Sequence, residues 1–463
     1  MNPVRATALP AAHELLASIA SRQVSPVELV DAARRAYEER NPRLNAIVTP
    51  TFEAARAEAV VSERRLACGE PPRPLEGLPL AVKDSIPVAG VRTTYGSPLF
   101  RDNVPTEDAL HVHRLRDAGA IVVGKTNTPE FEVGINTRNP VFGQTVHPLD
   151  DARGCGGSSG GSAVALATGM CAIADGTDHG GSIRIPASLV GVAGLRPSPG
   201  RVPLYPTAWV HDALSVAGPL ARTVRDLALM LSVMAGPDPR IPISLAKAAE
   251  GFASTPKPMR GRRVAWSTDL GGLCAVDPEV AAAVRRAADR FAALGCVVEE
   301  AAPDWHDAPE IIGPLRAHRT SIVMADLRGR AADIENLWLR DFIDRADRLS
   351  LRDVGAAETK RSRYWERTAA FFERYSLLLA PATQFTAFPK EADFPSVIAG
   401  RTMSSVVETI LATYAVTIAG LPALSVPNGL SSAGLPVGLQ IVGGWRADGD
   451  VLGAGIAFEH AAA

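Results

Sequence analysis

Residues 154–169 read GCGGSSGGSAVALATG, and residues 175–188 read DGTDHGGSIRIPAS. Glycine lets a backbone turn tightly and approach its neighbours closely, whereas AVALA is a run of small apolar residues suited to a buried, closely packed helix. A solvated Gly–Ser linker would not be joined directly to such an element. The wider stretch from about 75 to 225 has the same character, rich in Gly, Ser, Thr and Pro yet repeatedly interrupted by apolar runs. It reads as close-packed turns around a site.

The flanking sequence supplies the scaffold. Ser25, Pro26 and Glu28 form a capping box with proline at the first helical position, opening a helix in SPVELVDAARRAYEER. AIVTPTFEAARAEAVVSERRLACG predicts a short strand and then a helix ending at Gly69. GLPLAVKDS is an apolar strand between turn residues, and ALHVHRLRDAGAIVVGKT predicts helix then strand, as does DPEVAAAVRRAADRFAALGCVVEE. This alternation predicts an α/β fold, a single large domain over 1–463 whose central mixed β-sheet is covered by helices on both faces. Within it, 75–225 is the core. The more charged stretch 240–410 is expected to form a variable helical cap, with 310–400 reading as amphipathic helices.

Composition excludes several function classes. The 463 residues carry a formal net charge of −2, which gives nucleic acid no basic footprint. The five cysteines are scattered and odd in number, which argues against a disulfide framework and against a zinc site. No metal or cofactor is expected. No apolar run reaches membrane-spanning length, and MNPVRATALPAAHELLASIA lacks the layout of an export signal, so a cytoplasmic location is expected.

The glycine-flanked hydroxyls leave three chemistries open. A phosphate cradle is one, although GxxxxGK[ST] is absent. A serine nucleophile activated by Asp178 and His179 beside Ser182 is the second, disfavoured because neighbours on one tight turn cannot line up as acid, base and nucleophile. The third uses Lys83 at the end of its apolar strand. Burial disfavours the charged amine and leaves a neutral base, although a buried ion pair with Asp84 or another acid accounts for Lys83 equally well.

Taken together, GGSSGGSAVALATG, DGTDHGGSIRIPAS, GLRPSPGRVP and LSVAGPLARTVRDLAL, with GLPLAVKDSIPVAGVRTTYGS and LRDAGAIVVGKTNTPEF upstream, resemble the amidase signature family in order and spacing. AGLPALSVPNGLSSAGLPVGLQIVG resembles its closing element. The likeness is close over 75–225 and clear over 415–460. It implies a Ser-cisSer-Lys triad: Ser182 as nucleophile, Ser158 as relay with a cis peptide bond before it, and Lys83 as base. It further implies an oxyanion hole of backbone N–H groups from His179, Gly180, Gly181 and Ser182, and places Phe131 and Glu132 at an acyl-pocket wall. Arg184 is expected in a structural salt bridge. Ser159 and Ser162 are expected in hydrogen-bonding turns and a helix cap, and Cys155 as a small packed residue. His179 replaces the family's usual threonine, Ser85 its asparagine, and VHPLDDARGCGG departs from its common pattern.

The implied activity is hydrolysis of a carboxylic amide, extending to anilides, esters or carbamates, by a protein whose partner is a small-molecule substrate. A homodimer is compatible with this. Two alternatives are a glutaminase subunit of a tRNA-dependent amidotransferase and a catalytically silent binding protein on the same scaffold.

Overall fold

The apolar runs marked in the sequence become strands of one eleven-stranded mixed sheet in the computed structural model, which describes residues 9–246, 252 and 255–461. The opening eight residues, part of the stretch read against an export signal, lie outside the described residues. In chain order the strands are β1 (Ile47–Pro50), β2 (Pro79–Lys83), β3 (Ile121–Thr126), β4 (Ile173–Asp178), β5 (Ala193–Arg196), β6 (Val216–Ala221), β7 (Arg263–Trp266), β8 (Val297–Glu300), β9 (Leu377–Pro381), β10 (Ala423–Leu430) and β11 (Pro436–Gly443). Across the sheet they lie in the order β1-β3-β2-β4-β6-β5-β10-β11-β9-β7-β8. β2 runs parallel to both β3 and β4, while β4, β6, β5, β10 and β11 pair antiparallel in succession.

Alternation along the strands sorts the core into two layers. Ala81, Ala174 and Leu220 face the fully buried helix Gly160–Ala167, the one anticipated from AVALA. Leu80, Val82, Ile173 and Ala217 face the opposite layer, where the helices Leu110–Asp117, Val224–Met234 and Asp448–His460 pack. Small residues let the first layer sit close. A Cβ on Gly161 would fall 2.4 Å from the backbone nitrogen of Asn127, so the helix start tolerates no side chain there. The box at Ser25 also forms: Glu28 N–H donates to Ser25 Oγ at 3.2 Å and Ser25 N–H to Glu28 Oε2 at 2.8 Å.

One expectation needs correction. The segment 240–410 is not a helical cap throughout, because β7, β8 and β9 all come from it and complete one side of the central sheet. Its longer described helices are Pro278–Ala293, Ala308–Val323, Leu337–Arg348 and Leu351–Arg374. No described helix is long and apolar enough to cross a membrane.

Asp178, the last residue of β4, fastens the centre of the molecule. Arg184 Nη2 and Nε donate to its carboxylate at 2.7 and 3.0 Å, and Arg196 Nη1 at 3.3 Å, with all three side chains fully buried. Burial alone would raise the Asp178 carboxyl, but the two guanidinium groups hold it well below the usual carboxylate range. Arg184 extends the network to Thr413 O, Thr417 Oγ1 and Gln440 Oε1. It is the structural arginine the sequence suggested. Asp178→Ala strands two buried cations, and is expected to destabilise the fold by about 3–5 kcal/mol. Comparing denaturant unfolding of the variant and the parent chain checks this.

Candidate active site

Lys83 ends β2, and Asp175 and Thr177 lie on the same face of the adjacent strand β4. The Lys83 backbone N–H donates to Asp175 Oδ1 at 2.8 Å, which fixes the strand end. Its side chain is fully buried, and Nζ donates to Ser158 Oγ at 2.7 Å and to Thr177 Oγ1 at 2.8 Å. The Gly157–Ser158 peptide bond is cis. The next residue ties this loop to the other: Ser159 N–H donates to Ser182 O at 3.0 Å. Ser182 sits on the turn between β4 and the helix Arg184–Val190, is partly exposed, and lines the same cavity as Ser158, Thr177, His179 and Glu132.

Lys83 has an acid partner, and it is not Asp84. Asp84 instead accepts from Thr94 Oγ1 at 2.5 Å and lies 3.8 Å from Lys125. The partner is Glu132, whose Oε1 is 3.0 Å from Lys83 Nζ and also accepts from Ser85 and Thr177 hydroxyls, each at 2.5 Å. Phe131 and Glu132, which the resemblance places at an acyl-pocket wall, both line the cavity that contains Ser182, and Glu132 also pairs with Lys83. Both residues have left-handed backbones (φ +48° and +65°), a conformation costly for non-glycine residues and concentrated at functional sites. Burial pushes the Lys83 amine below its ordinary value of 10.5, against the pull of Glu132, Asp175 and Asp178. For Glu132 burial acts upward, and the lysine together with the hydroxyl donors outweighs it.

The turn expected to form an oxyanion hole has one of its four N–H groups already engaged. Gly181 N–H donates to Asp178 Oδ1 at 3.2 Å, which removes it from the expected set. The N–H groups of His179, Gly180 and Ser182 have no acceptor among the described residues. A Cβ on Gly180 would lie 2.7–3.0 Å from the Tyr414 ring, so only glycine keeps the turn against that helix. His179 is held neutral, first by burial and then by Arg319, Arg316 and Arg196. Its Nδ1 meets Ser215 Oγ at 3.2 Å and its ring packs edge-on to Tyr414. With Asp178 committed to arginines, the Asp178–His179–Ser182 arrangement is not formed.

The remaining hydroxyls and the thiol are accounted for. Ser162 Oγ bonds Thr126 Oγ1 at 2.7 Å. Ser159 occupies the N-cap position, yet its Oγ caps nothing and has no hydrogen-bond partner among the described residues, a correction to its expected role. Cys155 is buried, and burial pushes its thiol up to about 12, which suits packing and not nucleophilic attack. Three further residues escaped the sequence reading. Thr177 was legible only through its two-residue spacing from Asp175 on a strand. Arg316 and Arg319 come from the helix Ala308–Val323 and reach the cavity by folding alone.

Comparison with known proteins agrees with this arrangement of elements. The family model "Amidase" matches residues 28–452. An acylamidase of Rhodococcus erythropolis is 36% identical over 452 residues, covering 97% of this chain and 94% of the relative. A subunit of the glutamyl-tRNA(Gln) amidotransferase of Synechococcus sp. (strain CC9605) is 36% identical over 449 residues, covering 91% and 90%. The solved structure of a bacterial aryl acylamidase of the amidase signature family superposes with a TM-score of 0.91 at 32% identity, covering 98% and 96%. A 6-aminohexanoate cyclic dimer hydrolase gives 0.86 at 29%, covering 97% and 96%. The chain belongs to the amidase signature family, hydrolases that act on the C–N bonds of amides.

The Glu132 contact has a titration signature. If the neutral amine is the working form, kcat/KM rises with pH through the lysine's lowered pKa. Glu132 favours the charged amine, so Glu132→Gln is expected to move that acid limb to lower pH. A pH profile of the variant with the limb unmoved or shifted upward would contradict the pairing.

Proposed function

We propose that this protein hydrolyses carboxylic amides, extending to anilides and related esters or carbamates, through an acyl-enzyme on Ser182. The observation that carries the reading is the 2.7 Å contact between a fully buried lysine amine and the Ser158 hydroxyl, in the cavity that Ser182 also lines. Neutral Lys83 takes the Ser158 proton as Ser158 takes that of Ser182, and the freed Ser182 Oγ attacks the carbonyl carbon. Negative charge collects on the carbonyl oxygen, where the unengaged N–H groups of His179, Gly180 and Ser182 receive it. The proton then passes back through Ser158 to the departing amine, the C–N bond breaks, and water hydrolyses the acyl-enzyme by the same relay.

Similarity to the tRNA-dependent amidotransferase supports a second reading, in which ammonia released from glutamine passes to a partner complex. The purified chain separates the two. Turnover of simple amides and anilides without partners supports the first; activity that appears only with small and tRNA-binding partners supports the second.

Substitution of the nucleophile and of the base provides the direct test. Ser182→Ala and Lys83→Ala are each expected to lower kcat by on the order of 10²-fold or more. A serine-directed phosphonate should label the parent chain at Ser182 and leave Ser182→Ala unlabelled. Undiminished turnover in either variant would refute the relay. Gly180→Ala is expected to lower kcat more than it raises KM, because the added methyl meets the Tyr414 ring and displaces the donors of the turn.

A further inference from the structure

The charges around the Ser182 cavity pair off with one exception. Lys83 faces Glu132 at 3.0 Å. Arg319 Nε donates to Asp212 Oδ2 at 2.6 Å, and Asp212 is itself held by the backbone N–H groups of Leu214 and Ser215. His179 is neutral. Arg316 is left over. It lies one helical turn before Arg319, on the helix Ala308–Val323, and lines both pockets that contain Ser182.

No carboxylate lies within ion-pair distance of Arg316 among the described residues. Its guanidinium is held in place by apolar and neutral groups. It stacks over the Phe342 ring at 3.8 Å, lies 5.8 Å from the Tyr414 ring, and donates one hydrogen bond through Nη1 to Tyr414 Oη. Its other guanidinium hydrogens have no acceptor among the described residues. Burial, with Arg319 and Arg345 nearby, pushes its pKa down to about 9, a sign that the charge is uncompensated. Half-buried arginine is costly to keep without an anion, and its planar fork matches a carboxylate bidentately.

We propose that Arg316 is a carboxylate-binding subsite beside Ser182, and that the favoured substrates are amides bearing a carboxylate. The substrate supplies the missing counter-ion, and stacking on Phe342 and the bond to Tyr414 aim the fork before it arrives. Arg319, already neutralised by Asp212, adds little net charge of its own. The proposal rests on the reading of Ser182 as the reacting group, but its test is built to fail separately.

Binding to Ser182→Ala, which needs no turnover, is measured by calorimetry. Succinamate, glutaramate and adipamate carry the carboxylate on the acyl side and are compared with butyramide, pentanamide and hexanamide. N-acetyl-β-alanine carries it on the amine side and is compared with N-propylacetamide. At least one anion is expected to bind on the order of 10–100-fold more tightly than its neutral counterpart. Adding Arg316→Met is expected to bring that ratio close to one, and Arg316→Lys, which keeps the charge and loses the fork, to leave an intermediate ratio. Circular dichroism verifies that each variant is folded, and if Arg316→Met is not, Arg316→Lys decides alone. Equal binding of anionic and neutral partners overturns the subsite, as does a preference that survives the Arg316 substitution. Absence of Ser182-dependent turnover for every amide instead overturns the hydrolase reading, while the binding ratios still decide the subsite.

Discussion

The proposed relay depends on a lysine amine being sealed from water. On the surface Lys83 would carry its proton at neutral pH and have nothing to offer a hydroxyl. At the end of β2, with Ser158 and Thr177 as its immediate neighbours, the charged form loses its hydration and the balance shifts toward the free base. Glu132 works against that shift at 3.0 Å. The amine therefore sits between two opposed influences, burial and one carboxylate, and in the proposed relay the outcome sets how readily a proton leaves Ser158. Ser85 and Thr177 bear on it indirectly, because their hydroxyl bonds hold Glu132 charged.

The second organising element is Asp178, whose carboxylate does several jobs at one strand end. It neutralises Arg184 and Arg196, receives the Gly181 and Ile183 N–H groups, and so fixes the turn from which the Ser182 and Gly180 donors project. The anion-binding role proposed for this turn requires donors that do not reorganise as charge develops. Here that rigidity comes from a buried ion triad on one side and from Thr413 and Tyr414 on the other, where Thr413 Oγ1 donates to Gly180 O at 2.6 Å.

Much of this was readable in the residues, and the exceptions have a common cause. The capping box at Ser25, the buried AVALA helix, the lysine strand and the structural role of Arg184 all follow from local patterning or from short motifs. The sequence also pointed to an acid near Lys83 without identifying it, because Asp84 is adjacent in the chain while Glu132 arrives from a loop after β3. Arg316 and Arg319 were invisible as site residues, since nothing in GPLRAHRTSIV distinguishes a side chain facing a cavity from one facing solvent. The 240–410 region misled for a similar reason: CVVEE reads as a strand, but nothing local shows that β8 pairs with β7, β7 with β9 and β9 with β11, which carries the segment into the central sheet. Local signals survive in sequence, whereas contacts made across the fold do not.

The reach of Arg184 has an evolutionary corollary. Its guanidinium draws on Asp178 in the signature stretch and on Thr413, Thr417 and Gln440 near the other end of the chain. The signature stretch is thus not a portable module that recombination could graft elsewhere. Cut away from the helix Leu411–Ile418 and the hairpin β10–β11, it would keep its own glycine-serine motifs and lose the acceptors beyond Asp178 that satisfy Arg184.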